Sequence, residues 1–201
     1  MPIPYKALVP HTLNPETSFY QYRQGLPDKV TADSPALDVM TDLTRVKAVT
    51  VGPDVAIDSA LQKMIYAEVR LLLVTDSRNT LLGLITARDI MGERPVSFIA
   101  KTRMAREEVL VEHIMTPRDS IQVLRIDDIK NARVGDLILT LKEAGSQHSL
   151  VVEKTASGKN EIIRGIFSTT QIGKQLGVDI QPTGKVQSFA ELEAVLLANH
   201  R

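Results

Sequence analysis

The sequence predicts an α+β fold: two copies of one β-α-β-β-α unit, with an extended N-terminal arm before them and a helix after them. Three observations predict it. Two amphipathic helices recur at a constant offset, a matching hairpin follows each, and a matching Met-Thr dipeptide precedes each. Internal duplication is read first because it constrains the architecture before any single boundary is drawn.

Ile57, Ala60, Leu61 and Met64 lie at i, i+3, i+4 and i+7, as do Val134, Leu137, Ile138 and Leu141. Each set forms one apolar face of a helix, and the sets are offset by 77 positions (134 − 57). The offset continues into Val69 to Asp76 and Ser146 to Glu153, each a short apolar run closed by an acid, as for a buried strand entering a turn. Turn residues follow, Ser77-Arg78-Asn79 in the first copy and Thr155 to Asn160 in the second. A second strand closes each hairpin, Leu81 to Ile85 and Ile162 to Phe167. Gly83 matches Gly165 at an offset of 82 (165 − 83), so the second loop has gained about five residues. Thr86 to Ile90 and Ser168 to Ile172 each open a further helix. Ahead of each copy stand Val39-Met40-Thr41 and Ile114-Met115-Thr116, followed by short strands over Ala48 to Val51 and Ile121 to Leu124.

These units divide the chain into an extended arm (1–37), a first repeat (38–95), a linker region (96–110), a second repeat (111–178) and a C-terminal tail and helix (179–201). The arm holds Pro2, Pro4, Pro10, Pro15, Pro27 and Pro35, a density that opposes helix and central strand. Its rings, Tyr5, Phe19, Tyr20 and Tyr22, either pin it to the core or meet a partner. Ala105 to Met115 reads as a helix with Arg106, Glu107, Glu108 and Glu112 on its wet side. Ser188 to Glu191 is a capping box ahead of Phe189, Leu192 and Leu196, a stripe that packs on its own domain or on a dimer partner.

Composition narrows the function. Of 201 residues, 43% are hydrophobic and 24% charged, as in ordinary globular domains. Lys+Arg and Asp+Glu both number 24, so no net field draws the chain to nucleic acid or an anionic membrane. With no cysteine there are no disulfides, thiolate metal sites or thiol nucleophiles. The first residues do not resemble a signal peptide, and no apolar run approaches the roughly 20 residues that span a bilayer. The expected setting is cytoplasmic, without membrane or nucleic-acid partners.

Thr86-Ala87-Arg88-Asp89 is the segment with a specific chemistry. It lies where a strand passes into a helix, and a hydroxyl and a carboxylate three residues apart share one side of the first turn. A carboxylate can accept both hydroxyls of a cis-diol, and the Arg88 fork suits phosphate. The structural alternative is that Thr86 caps the helix and Asp89 complements its dipole.

The duplicated unit, its Val-Met-Thr and Ile-Met-Thr-Pro openings and the string Gly83-Leu84-Ile85-Thr86-Ala87-Arg88-Asp89-Ile90 resemble a tandem CBS-domain pair, or Bateman module, over roughly residues 38–178. The resemblance implies two repeats packed through their sheets about a pseudo-two-fold axis, with two clefts for adenosine-containing ligands and a flat homodimer of such pairs. It gives Thr86 and Asp89 the ribose and Arg88 the phosphate. It builds the adenine slot from Lys47, Ala48 and Thr50 with Arg70, Leu71 and Leu73, where Leu73 replaces a frequent proline. In the second cleft Ser168 keeps the hydroxyl but Gln171 replaces the acid or amide, which removes a charge-assisted bond. His148 lines that wall as a ligand or, more commonly for a lone histidine, as a structural residue. One competent and one weak or empty cleft are expected.

The resemblance therefore implies a non-catalytic regulatory module that binds AMP, ADP or ATP, needs no catalytic cofactor and passes its state to an effector protein. An enzyme is the first rival, but His11, His113, His148 and His200 show no metal spacing, and no nucleophile elbow or phosphate loop is present. The stronger rival is a dimerisation scaffold without a small ligand.

Overall fold

The computed structural model describes residues 25–178 apart from 156, 157 and 159. The aromatic part of the arm and the C-terminal capping box and stripe lie outside the described residues. In chain order the elements are β1 (Thr41–Asp42), β2 (Thr50–Val51), α1 (Ile57–Tyr66), β3 (Leu71–Thr75), β4 (Leu81–Thr86), α2 (Ala87–Met91) and α3 (Glu93–Thr102). Then follow α4 (Val111–Ile114), β5 (Thr116–Pro117), β6 (Val123–Arg125), α5 (Ile126–Ile129), α6 (Val134–Glu143), β7 (His148–Lys154), β8 (Glu161–Ser168) and α7 (Thr169–Leu176).

They form two four-stranded sheets of the same design. One runs β2-β3-β4-β5, the other β1-β8-β7-β6. In each, a parallel pair is followed by an antiparallel hairpin, and the hairpins carry bulges at Val74/Thr75 and Val151/Val152, again 77 positions apart (151 − 74). The first hairpin turns as the sequence predicts: Asp76 Oδ1 accepts the Arg78 and Thr80 amides, both at 2.8 Å, and Asn79 takes a positive φ of 60°.

The Met-Thr segments cross over. β1 precedes the first repeat in sequence but pairs with β8 of the second, Thr41 opposite Ile166 and Asp42 opposite Gly165. β5 pairs with β4 of the first repeat, Leu84 opposite Thr116 and Gly83 opposite Pro117. The two matching glycines are what admit these strands. A Cβ at Gly83 would overlap the Thr116 carbonyl oxygen, and one at Gly165 would lie 2.5 Å from Met40 Sδ and 3.0 Å from Thr41 O.

The cores follow the crossing. Val30, Ala36, Val39 and Met40 are buried with Ile126, Leu137, Val151, Phe167 and Ile172 of the second repeat. Val109, Val111 and Ile114 are buried with Ile57, Met64, Leu72 and Ile85 of the first. Alternate residues of β3 serve two interiors, because successive side chains leave opposite faces of a strand. Leu72 and Val74 enter the first-repeat core, while Leu71 and Leu73 meet Leu150 in a third cluster between the sheets, with Leu84, Ile121 and Ile166 against it.

The predicted helix over Ala105–Met115 is broken. Arg106–Glu108 form a 3-10 turn, Val109 and Leu110 are extended, and only Val111–Ile114 is α-helical. Burial explains the break: fully buried Val109 accepts the Ile57 amide at 3.0 Å, and Leu110 bridges Ala56, so the chain runs through the core and cannot expose a polar helical face. The described part of the arm is tied to the second repeat. Val30 N donates to Gln175 O at 3.0 Å, and the buried Gln175 Nε2 donates to Pro27 O at 2.7 Å and Asp38 O at 3.0 Å.

Candidate functional site

A cavity of about 1080 Å³ opens between the sheets. From the first repeat it is lined by Leu71, Leu84, Thr86, Arg88 and Asp89, then by Glu93 and Arg94, with Thr116 on the crossing strand. The second repeat supplies Ser120 to Leu124 on one side and Ser146 to Leu150 on the other. Apolar faces of both repeats thus meet hydroxyl, amide and charged groups, the mixture that holds and orients a small ligand.

Thr86 and Asp89 form a reciprocal cap on α2. Asp89 N donates to Thr86 Oγ1 at 3.2 Å, while Thr86 N and Thr86 Oγ1 donate to Asp89 Oδ2 at 2.9 and 2.7 Å. The other carboxylate oxygen, Oδ1, lies 3.2 Å from Arg94 Nη1. Gly92 makes this pair possible: its backbone ends α2 and restarts the chain as α3, bringing a side chain five positions on back to Asp89. Arg94 Nη1 also donates to Ile114 O at 2.8 Å and Thr116 Oγ1 at 3.1 Å. The Asp89 side chain is 14% exposed, at the cavity wall. The cap anticipated as the structural alternative is therefore present, on a residue that still faces the cavity.

The structure brings Leu71, Thr86, Ala87, Arg88 and Asp89 to one place, with Ala87 beneath the surface as a buried contact of the first-repeat core. It does not bring Lys47, Ala48 and Thr50 there. Their positions along the cavity are taken by Ser120 to Leu124, the corresponding segment of the second repeat, because the sheets face each other and each wall needs both copies. Ala48 packs in the inter-sheet cluster, and Thr50 pairs with Leu73, which is buried in that cluster. Arg70 reaches across to α7, its Nη1 3.4 Å from Thr170 Oγ1. Ser168 pairs with His148 across the β7–β8 hairpin. Gln171 spends its amide within α7, its Nε2 donating to Gln175 Oε1 at 3.1 Å.

His148, expected in the second cleft, lines the same cavity as Asp89. Burial, helped by the nearby Arg70 cation and opposed by the Asp89 carboxylate, pushes its pKa down to about 4. It is neutral in the folded protein at pH 7. The unfolded chain takes up this proton near pH 6.5, so the stability that the neutral ring secures is complete above pH 6.5 and is lost as pH falls toward 4, at most about 1.4 kcal/mol per pH unit. Urea unfolding at pH 7.5 and 5.0 is expected to show this loss, and His148→Asn to flatten it. An equal loss in the variant would assign the effect to other groups.

Arg94 was not apparent from the sequence. Its only signal there is an arginine five residues after Asp89 with a glycine between, a spacing that an unbroken helix would not bring together. Among the described residues, no group of three or more His, Asp or Glu side chains is placed to hold a metal ion. Nor is any helix long and apolar enough to cross a membrane.

Residues 32–95 match the family model of the CBS domain. The chain thus carries a CBS domain over its first repeat. The second repeat has the same strand order, bulge position and glycine. Among solved structures, the CBS-domain protein ATU1752 from Agrobacterium tumefaciens is 25% identical, over 78% of this chain and 98% of that one, with a TM-score of 0.52. An uncharacterized conserved protein from Pyrococcus horikoshii is 22% identical, over 71% of this chain and 92% of that one, with a TM-score of 0.51. CBSX2, a CBS-pair protein of Arabidopsis thaliana, in complex with AMP, is 24% identical, over 69% of this chain and 92% of that one, with a TM-score of 0.47. No curated protein matches the chain.

Proposed function

We propose that this CBS pair is a non-catalytic regulatory module that binds an adenine nucleotide in the inter-sheet cavity. The observation that carries the reading is the Thr86–Asp89 cap at the cavity wall, facing Ser120 to Leu124 of the other repeat. Asp89 would take the ribose diol, with Arg88 beside the phosphates and Leu71, Leu84 and Leu124 against the base. Because both repeats line the cavity, a bound nucleotide favours one relative setting of the repeats, and that bias is the signal. In this reading the pair works as a cytoplasmic homodimer and hands its state to a separate effector protein.

A thermal-shift series with AMP, ADP, ATP and S-adenosylmethionine tests it. A ligand at 100 times its Kd adds about 2.7 kcal/mol, or roughly 5–11 °C for a chain of this size. Asp89→Ala loses about 1 kcal/mol of capping in any case, so each variant is compared with and without ligand. The ligand-dependent shift is expected to vanish in Asp89→Ala. A full shift in the variant would move the site elsewhere. No shift with any of the four ligands would favour the scaffold reading, which the engagement of Gln171 with Gln175 already favours for the second cleft.

A further inference from the structure

We infer that His113 is a pH-operated latch on the segment that crosses between the repeats: the neutral ring caps α4, and a proton on the ring releases that cap and slackens one wall of the cavity. This holds whatever the cavity takes up.

One nitrogen decides the state. Leu110 N donates to His113 Nδ1 at 3.1 Å, so Nδ1 carries no proton and the neutral ring holds its own on Nε2. The ring is stacked on Phe98 of α3, with centroids 4.6 Å apart and planes 14° from parallel. An aromatic face accepts a cation as well as a neutral ring, so Phe98 keeps the imidazole in place in either state. What a proton changes is Nδ1. It becomes a second donor facing the Leu110 N–H, and the amide at the start of α4 loses its acceptor.

No ion pair among the described residues holds the ring in one charge state. Around it lie α3, its own segment, and the loop before α1, where Val55 O accepts the Val111 amide and Pro53 O the Glu112 amide. Of their charged side chains, Arg94 pairs with Asp89, Arg106 pairs with Asp58, and Glu108 accepts the Ala105 amide. Glu93 and Lys101 on α3, Asp54 in the loop, and Glu107 and Glu112 near the ring in sequence are exposed to water. The ring is thus free to titrate near neutral pH, as histidine ordinarily does.

The latch reaches the cavity within one helical turn. α4 is only four residues, Val111–Ile114, closed by Met115 N donating to Val111 O at 2.9 Å. Ile114 O and Thr116 Oγ1 receive Arg94 Nη1, and Arg94 lines the cavity beside Asp89. A helix this short frays as a unit when its cap is lost, so the carbonyl that positions Arg94 is loosened with it.

Amide hydrogen exchange of the full chain at about pH 7.5 and 5.5 tests it, read by NMR and corrected for the intrinsic pH dependence of exchange. The proteins are the wild type, His113→Asn and His113→Phe. His148, with its pKa pushed down to about 4, stays neutral across this window. In the wild type the protection of the Leu110 amide is expected to fall about fivefold or more in acid, the scale of one lost cap. Protection of the Met115 amide should fall with it. The Leu73 amide, bonded to Val49 O in the first sheet, reports global opening and should hold. Asparagine places an uncharged oxygen where Nδ1 stands, so His113→Asn should keep both amides protected at both pH values. His113→Phe removes the acceptor and should leave both poorly protected throughout; if it does not fold, His113→Asn decides alone. Equal wild-type protection at the two pH values would overturn the latch, as would an equal acid loss in His113→Asn or an equal loss at Leu73. A loss confined to Leu110 would overturn its reach to the cavity wall.

Discussion

Replacing Gly83 by valine is expected to lower the unfolding free energy by about 3 kcal/mol and the melting temperature by roughly 6–12 °C. The cause is backbone against backbone. The new Cβ would meet the Thr116 carbonyl oxygen, with Met115 Sδ only 3.0 Å away, and a carbonyl fixed in the β4–β5 ladder cannot turn aside as a side chain can. The same change at Gly165 meets the flexible Met40 thioether first, so Gly165→Ala should cost less than Gly83→Ala. A control in the same protein has the opposite sign. Gly135 lies in α6, where a Cβ would make only ordinary contacts at 3.5 and 3.7 Å with Ala32, so Gly135→Ala should stabilise by up to about 1 kcal/mol. Denaturant melts of the variants decide the matter. Equal behaviour of Gly83→Ala and Gly135→Ala would show that the crossing strand yields easily.

Asp42→Ala should cost a similar amount, about 3 kcal/mol, at the low end for breaking a buried pair because the site keeps some solvent. Asp42 Oδ1 accepts from the Thr44 amide at 2.8 Å, the Thr44 hydroxyl at 2.7 Å and the Arg164 guanidinium, so one carboxylate shapes the turn after β1 and pins β1 to β8. Burial alone would raise its pKa. The Thr44 and Arg164 bonds outweigh burial and hold it below the ordinary value of 3.8. A depressed carboxylate contributes stability that is present above that value and lost as pH falls below it. Acid unfolding of the wild type should therefore include an Asp42-dependent step below about pH 4, separate from the His148 window at higher pH. If Asp42→Ala and Arg164→Met each destabilise and the double variant costs no more than either alone, the two act as one unit; strict additivity would argue against their coupling.

The repeat was legible because its elements carry period. The apolar faces of α1 and α6 and the apolar runs of β3 and β7 stand in the sequence at one offset, and the structure keeps both. The crossing of β1 and β5 was not. Strands of two residues have no period, and their partners are set by bare patches at Gly83 and Gly165, positions that sequence order assigns to the opposite copy. The cavity beside Asp89 is lined by Ser120 to Leu124 of the second repeat, whereas Lys47, Ala48 and Thr50 are not among its lining residues. The Thr86–Asp89 cap was legible because its motif is local, and the approach of Arg94 was not, because it depends on the helix break at Gly92. The helix expected over Ala105–Met115 failed for a different reason: Val109-Leu110-Val111 is an apolar run too short to show a period, and only the fold shows Val109 plugging the core.

The exchange of Met-Thr strands has a consequence for how the chain can be divided. A single nick at the exposed stretch around Arg103 would produce two fragments, each lacking a peptide that its own interior needs: the first without Val109, Val111 and Ile114, the second without Ala36, Val39 and Met40. Neither half is a self-sufficient domain, so recombination cannot transplant one alone. Cut pieces would survive only by complementing each other, and the protein's minimum inheritable piece is the pair.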